Sequence, residues 1–472
     1  MDFDSILHQY QKAYYNLPCG VKKFLGALYG QVPVNIRFGK NFPIHQKIIE
    51  KFEKGDEQFK IDFQFNKTVE TLQFAYDNIP YYRKLFDENS FKITDFKDFS
   101  DLKKIPRLTK EIIQKEIENL YTDKFDKPVK YFTGGSSSTP MKIYSPLSVS
   151  RAKEKAYILH TIGKIRYVYR DPVVHMMSRG KADESKRKYW EYQKVDNFLL
   201  ISVLHLRKEF IKPIFEEIEK FKPKYFFGFP SAIVSFIKAC SYIGIKKVDN
   251  IKGVVLYSES VSLENIDFIK SFFNAPIMSD YGHTERVIYA YRIDKENYNF
   301  MNSYGLTKIV DDEIVGTSFD NFVMPYINYS TRDYIIGDVN SYKGTDIVKS
   351  VSNIQGRIQE FVVTNENIVI PILTIGAGHF NSYDYIDKAQ FYQDTPGKIT
   401  LFIESSHPEL VQKEKIVKQM HIQVNRKIDF EVKFIEKIAM THRRKEILCI
   451  QKLDIEKYRN MNKQGTHLIS NS

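Results

Sequence analysis

From Val129 onward, short apolar runs alternate with helix-patterned segments, and this alternation limits the fold more than any other feature of the 472-residue chain. "PKYFFGFPSAIVSFIKACSYIGI" reads as a strand over Tyr225 to Phe227, a Gly-Phe-Pro-Ser turn and a helix that opens on small residues. "IKGVVLYSESVSLENIDFIKSFF" repeats the scheme with a strand from Val254 to Tyr257, and "APIMSDYGHTERVIYAYRI" supplies another strand followed by a turn. Such alternation predicts an α/β domain built on a largely parallel sheet. Parallel neighbours need a long crossover, and a helix provides it.

At this length two hydrophobic cores are expected rather than one. Residues 1–100 read as polar and mostly helical; Pro106 ends a segment, and Thr109 is placed to cap the next helix. The tail changes character. "GKITLFIE" alternates as a strand, "HPELVQKEKIVKQMHIQVNRKI" reads as a helix with Pro408 in its first turn, and "DFEVKFIEKI" is a second strand. Together they predict a compact βαβ unit separate from the main sheet. The boundary is expected within "IQGRIQEFVV", giving a large unit over 1–358 and a small mobile C-terminal unit over 359–472.

With 35 Phe and 31 Tyr, the interior should be rich in aromatic rings. The net charge is +12, but the lysines are interspersed with acids, as in "EKFEKGDEQFK". Nucleic-acid binding would need them gathered on one element, so that class is set aside, while the field still favours anionic substrates such as nucleotides. Cys19, Cys240 and Cys449 are too scattered for zinc spacing or a disulfide framework. No signal peptide and no apolar run of about 20 residues stands out, so a cytoplasmic protein without a transmembrane segment is expected. Only a weak interfacial signal runs from Val21 to Tyr29.

Five segments carry groups suited to chemistry. In "TGGSSSTP", from Thr133 to Pro140, small residues let successive backbone N–H groups converge on an anion. The segment matches neither the Walker pattern nor GxGxxG, and a flexible tether has the same composition. "SDYGHTERV" offers a flat ring, a hydroxyl and a carboxylate in Tyr281, Thr284 and Glu285, a set able to meet a base, a phosphate and Mg²⁺. "NYSTRD" ends in Asp333, "IQGRIQE" carries Arg357, and "AMTHRRKEIL" places Lys445 after two arginines. Taken singly, each reads equally well as a turn, a cap or a solvated basic patch.

Their order and spacing, however, resemble the adenylate-forming superfamily of acyl- and aryl-CoA synthetases, luciferase and nonribosomal adenylation domains. The nearest resemblance is to its phenylacetate–CoA ligase/CapK-type branch, associated with capsular polysaccharide biosynthesis. It runs over nearly the whole chain: "IPYYRKLF", "IPRLTK", "TGGSSSTP", "KPKYFFGFPSAI", "GVVLYSESV", "DYGHTE", "EIVGTSFDNFVMPYINYSTRD", "GRIQEFVV" and Lys445. The resemblance implies a large N-terminal α/β domain hinged near Gln359 to a small C-terminal α+β domain. It implies an AMP-forming ligase in which a carboxylate attacks the α-phosphate of ATP, pyrophosphate leaves, and an amine or thiol captures the acyl-adenylate.

On that resemblance, Thr133, Gly134, Gly135, Ser136, Ser137 and Ser138 would cradle the leaving phosphates. Asp280, Tyr281, Gly282 and His283 would line the nucleotide, with Tyr281 against the adenine. Thr284 would contact phosphate and Glu285 would bind Mg²⁺. Asp333, assisted by Arg357, would accept hydrogen bonds from the ribose, and Lys445 would bridge the substrate carboxylate and the α-phosphate. Gly228, Phe229, Pro230 and Ser231 would border the acid, together with Ser258 and Glu259. His175 and Arg179 are further candidates, whereas His205 reads as a structural histidine.

Three departures stand out: Ser138, Arg332 and Arg444 occupy positions where the family commonly has Gly, and the usual hinge Asp is Gln359. Gly tolerates φ > 0 where other residues are strained, so three reshaped loops are expected. "TNENIV", from Thr364 to Val369, also lacks the Gly that thiol-using members place by the pantetheine tunnel. That disfavours CoA; together with the CapK-type resemblance it implies an amine acceptor and amide formation in surface-polysaccharide modification. An aryl- or acyl-CoA ligase and a catalytically silent nucleotide-binding subunit are the alternatives. The acid, the acceptor and the oligomeric state are left open.

Overall fold

The computed structural model describes residues 19–132, 141–177, 188–357, 361–375, 385–424, 427–440, 447–455 and 457–458. Its first part is helical, as the polar pattern predicts: α1 (Cys19–Gln31), α2 (Asn41–Lys54), α3 (Glu57–Asn78), α4 (Pro80–Glu88) and α5 (Lys110–Glu116). Local chemistry sets their starts. The Asp56 carboxylate accepts from Phe59 N at the head of α3, Pro80 opens α4, and the Thr109 hydroxyl caps α5 by accepting from Ile112 N at 3.4 Å.

A hairpin of β1 (Pro128–Phe132) and β2 (Lys142–Pro146) leads into α6 (Leu147–Gly163) and then the main sheet. Its first half comprises β3 (Val173–Met177), β4 (Trp190–Gln193), β5 (Phe198–Ser202), β6 (Tyr225–Gly228), β7 (Gly253–Leu256) and β8 (Ile277–Gly282). Its second half comprises β9 (Tyr289–Ile293), β10 (Tyr298–Phe300), β11 (Gly305–Val310), β12 (Glu313–Ser318), β13 (Tyr329–Ser341) and β14 (Val348–Arg357). The strand order is β11-β12-β13-β14-β10-β9-β8-β7-β6-β3-β5-β4.

This sheet is mixed, which corrects the expectation of a largely parallel one. Only β5, β3, β6, β7 and β8 run parallel to their neighbours in that series. The reason is connection length. Helices α7 (Lys208–Phe221), α8 (Pro230–Tyr242) and α9 (Leu263–Phe273) bridge successive parallel strands. After β8 the links shorten to loops such as 283–288, too short for a crossover, so the chain turns back antiparallel.

Strands β6 and β7 are buried at every position, because α7, α8 and α9 pack Ile214, Ile237 and Ile266 on one face while Ile162 and Ile165, in and just after α6, pack against the other. The antiparallel half forms a further core with α3, α4 and α5, in which Leu72, Tyr82, Phe86 and Ile113 meet Leu306, Tyr326 and Ile347.

Beyond the main sheet lie a hairpin, β15 (Phe361–Val363) with β16 (Val369–Pro371), and a four-stranded sheet. The latter orders β19 (Asp429–Phe434), β18 (Lys398–Glu404), β17 (Lys388–Thr395) and β20 (Cys449–Gln451). Strands β18 and β19 are parallel and joined through α10 (Lys413–Gln423), so the tail contains the expected βαβ unit. Phe391, Leu401, Ile416 and Met420 give it a core of its own. The helix starts later than expected. Pro408 sits in a separate 3-10 turn over Pro408–Leu410, and extended Val411 (φ −77°, ψ 122°) breaks the path before Lys413.

Polar contacts tie this sheet to the main body: Arg207 Nη2 to Glu404 Oε1 at 3.0 Å, and Lys208 Nζ to His407 Nε2 at 2.7 Å. Among the described residues, no helix is long and apolar enough to cross a membrane.

Candidate active site

Because β6, β7 and β8 are parallel, their C-terminal ends reach the same edge of the sheet, where open α/β sheets bind ligands. Three predicted segments leave from that edge. Gly228 ends β6 and Pro230 opens α8; Tyr257, Ser258 and Glu259 follow β7; His283, Thr284 and Glu285 follow β8.

The first two segments are joined directly. Glu259 accepts from Ser231 N at 3.1 Å and Ser231 Oγ at 3.2 Å, so the loop after β7 caps the first turn of α8, the helix that follows β6. Tyr257 N donates to Gly228 O at 3.3 Å, and the Tyr257 and Phe229 rings lie 5.6 Å apart. Ser258 adopts φ +67°, a left-handed conformation uncommon outside glycine. His175 from β3 joins this group by hydrogen bonding to the Tyr257 hydroxyl through Nε2. Burial lowers its pKa from 6.5 to about 4, so the imidazole is neutral near pH 7.

The third segment carries two carboxylate–tyrosine pairs. The Tyr329 hydroxyl donates to Glu285 Oε1 at 2.8 Å, with Glu285 only 8% exposed. The Tyr281 hydroxyl donates to Asp333 Oδ2, also at 2.8 Å. Burial first, and the neighbouring Asp333 charge second, push the Tyr281 pKa well above its usual value and keep its proton in place. His283 lies beside the first pair, its ring stacked 6.0 Å from that of Tyr329. Thr284 and Asp280 are partly buried here, while Gly282 at the strand end is exposed. Asp333 on β13 stands directly opposite Arg357 on β14 in the strand register.

Arg332 changes the expectation of a reshaped loop. It adopts φ +61°, so this turn keeps a left-handed residue although glycine is missing. Surrounding contacts hold it there. Arg332 N donates to Glu313 Oε1 at 2.9 Å, and its guanidinium pairs with Glu111 at 2.7 Å. Glu313 also accepts from the Ser330 hydroxyl and from Arg107 Nη1, the latter at 3.1 Å. Backbone bonds from Leu108 N to Asn328 O and from Ser330 N to Leu108 O complete the junction. The "IPRLTK" segment therefore clamps the "NYSTRD" segment.

Residues Thr133 to Pro140, Arg179, Gln359, Arg444 and Lys445 lie outside the described residues, as does the side chain of Arg357. The strand leading into the serine-rich segment is nonetheless placed. Arg286, adjacent to Glu285, sits 5.3 Å from the Tyr131 ring centroid and pairs with Glu154 at 2.6 Å. His205 bonds Ser202 Oγ through Nδ1 at 2.9 Å and stacks on Tyr189.

Sequence reasoning missed Tyr329, Arg286 and Glu313. Tyr329 lies inside a quoted motif, but its carboxylate partner is 44 residues away, and nothing local marks the pairing. Among the described residues, no group of three or more His, Cys, Asp or Glu gathers to hold a metal. A single oriented carboxylate such as Glu285 suits Mg²⁺ that arrives with a nucleotide, because that ion usually keeps water and phosphate oxygens as its other ligands.

No protein-family model matches the chain. Protein CapK of Staphylococcus aureus is 21% identical over 450 residues, spanning 91% of this chain and 96% of that protein. Among solved structures, 2-hydroxyisobutyryl-CoA ligase in the postadenylation state with R3-HIB-AMP aligns with a TM-score of 0.61 at 13% identity, covering 85% of this chain and 90% of that one. The same ligase with 2-HIB-AMP and CoA in the thioesterification state aligns at 0.52 and 13% identity, covering 88% and 94%. In sequence the chain is CapK-like, and its fold is that of the adenylate-forming ligases.

Proposed function

We propose that this protein is an AMP-forming ligase that activates a carboxylic acid with ATP and passes the acyl group to an amine. The observation that carries this reading is the pair of carboxylates, Glu285 and Asp333, each oriented by a buried tyrosine hydroxyl beside the edge where β6, β7 and β8 end. Adenylation brings an anion to a polyanion, so preorganised charge and dipoles supply most of the catalysis. Asp333, fixed by Tyr281, would hold the ribose hydroxyls with help from Arg357 opposite it. Glu285, fixed by Tyr329, would hold Mg²⁺, which when bound neutralises phosphate charge. Thr284 and the 133–138 segment would bind the leaving phosphates. Lys445 would place an ammonium between the acid and the α-phosphate.

The acid would lie among Gly228, Phe229, Ser231, Ser258, Glu259 and neutral His175. A division into units 1–358 and 359–472, with Lys445 delivered by movement of the second, is part of the proposal and is supported by the separate C-terminal core. The capsular association of the CapK-type branch that the chain resembles supports an amine acceptor in surface-polysaccharide modification.

The test is acid-dependent exchange of labelled pyrophosphate into ATP, with panels of uronic acids and small acids, followed by amide detection with amino sugars. No exchange with any acid, by protein that binds ATP, would overturn the enzyme reading and leave the silent subunit. A CoA ligase stands as a second reading on one observation. The 364–368 turn already has a left-handed residue, Asn367 at φ +61°, so its lack of glycine does not require a different backbone. A CoA-dependent thioester product would decide for it.

A further inference from the structure

Among the described residues, helix α1 is docked by one face and exposed on the other. Gly26 and Gly30 are buried, and Arg170 Nη1 donates to Gly30 O at 2.6 Å. A Cβ at Gly30 would come within 2.8 Å of Arg170 Nη2, so glycine permits this close approach. The opposite stripe, Val21, Phe24, Leu25 and Leu28, follows the i, i+3, i+4, i+7 spacing of one helical face. These side chains are 44%, 66%, 41% and 51% exposed. Ile36 and Ile44, in the elements that follow, are also exposed. A helix normally buries its apolar stripe, and this one presents it to the surroundings.

Charge identifies what covers the stripe. The chain carries 58 acidic residues in 472, about one in eight, yet none lies between Asp4 and Glu50. The same span contains Lys12, Lys22, Lys23, Lys40 and Lys47. In a two-fold dimer the patch would meet its own copy, placing one acid-free, lysine-bearing segment against another. An anionic bilayer complements both properties: acyl chains take the apolar stripe of an in-plane helix, and lipid headgroups take the lysines.

We infer that α1 is an interfacial helix that seats this protein on an anionic membrane surface through Val21, Phe24, Leu25 and Leu28. The inference is independent of the ligase proposal, since none of these residues belongs to the candidate site.

The experiment is flotation of the full-length protein with vesicles of equal parts phosphatidylglycerol and phosphatidylcholine, and with phosphatidylcholine alone. Binding to the anionic vesicles is expected, with at least about tenfold less binding to the neutral ones and a loss near 1 M salt, where the screening length falls to about 3 Å. Phe24→Ser/Leu28→Ser should weaken binding at least about tenfold with an unchanged melting temperature, because exposed side chains contribute little to the fold. Lys22→Glu/Lys23→Glu should weaken it similarly. The inference is overturned by absent or equal binding to the two vesicle types. It is overturned too by wild-type binding of the Phe24→Ser/Leu28→Ser variant, or by a dimer in sedimentation that this variant converts to monomer.

Discussion

Replacing Tyr329 with Phe removes one oxygen atom and little else, and so isolates what the Tyr329–Glu285 hydrogen bond does. Both side chains are buried, 3% and 8% exposed, and the donor–acceptor distance is 2.8 Å. A hydrogen bond to a charged group in such a setting contributes about 1.5–3 kcal/mol, roughly a ten- to hundredfold change in an equilibrium constant. If Glu285 holds Mg²⁺, its orientation governs metal affinity, and loss of an outer-shell partner typically costs about 10–100-fold. Calorimetric titration of ATP at stepped Mg²⁺ concentrations reads this directly. The Mg²⁺ requirement of Tyr329→Phe should rise by that factor, while ATP binding in EDTA stays at the wild-type level. Urea unfolding separates the two roles. A variant that loses stability yet keeps the wild-type Mg²⁺ dependence would show that Tyr329 only supports the fold and would refute the reasoning.

Other predictions extend to catalysis, backbone and pH. Lys445→Ala should lower acid-dependent pyrophosphate exchange about 10²–10³-fold, the scale of a major electrostatic donor, with ATP binding retained in a filter assay. At position 332, where φ is +61°, Arg332→Gly should unfold in urea within about 1 kcal/mol of wild type, since relief of strain offsets the loss of an exposed ion pair with Glu111. Arg332→Val should be less stable than Arg332→Gly by about 1–2 kcal/mol, because a β-branched side chain is disfavoured there. Burial, then the Lys153 charge, lowers the His45 pKa from 6.5 to about 4, so between those values the unfolded chain binds a proton that the folded chain does not. Stability should therefore fall as pH drops from about 6.5 to 4, and His45→Leu should flatten that slope by up to about 1.4 kcal/mol per pH unit in urea titrations.

What the sequence reveals is what neighbours along the chain decide. Thr109 caps its helix as expected because the cap and its N–H partner are three residues apart. The tail βαβ unit is legible because its strand periods and its helix are local signals. Sheet direction after β8 is not legible from strand patterns, since an apolar run pairs parallel or antiparallel according to the length of the link before it. The Arg332 position shows both sides of this. Its departure from glycine is visible in sequence, but the contacts that hold it left-handed come from Glu111 and Glu313, remote in the chain or on a neighbouring strand. The tyrosines behind Glu285 and Asp333 escape notice likewise, because their partners are 44 and 52 residues distant.

The Glu313 junction has a consequence for the order in which the molecule assembles. Arg107 and Glu313 are separated by 206 residues, and Leu108 pairs with the backbone just ahead of Asp333 across a similar span. Closing so long a loop is slow relative to forming the hairpins and strand–helix units around it. The turn ahead of Asp333 is thus among the last parts to settle during refolding, and the nucleotide binding proposed for it should lag behind recovery of far-ultraviolet circular dichroism.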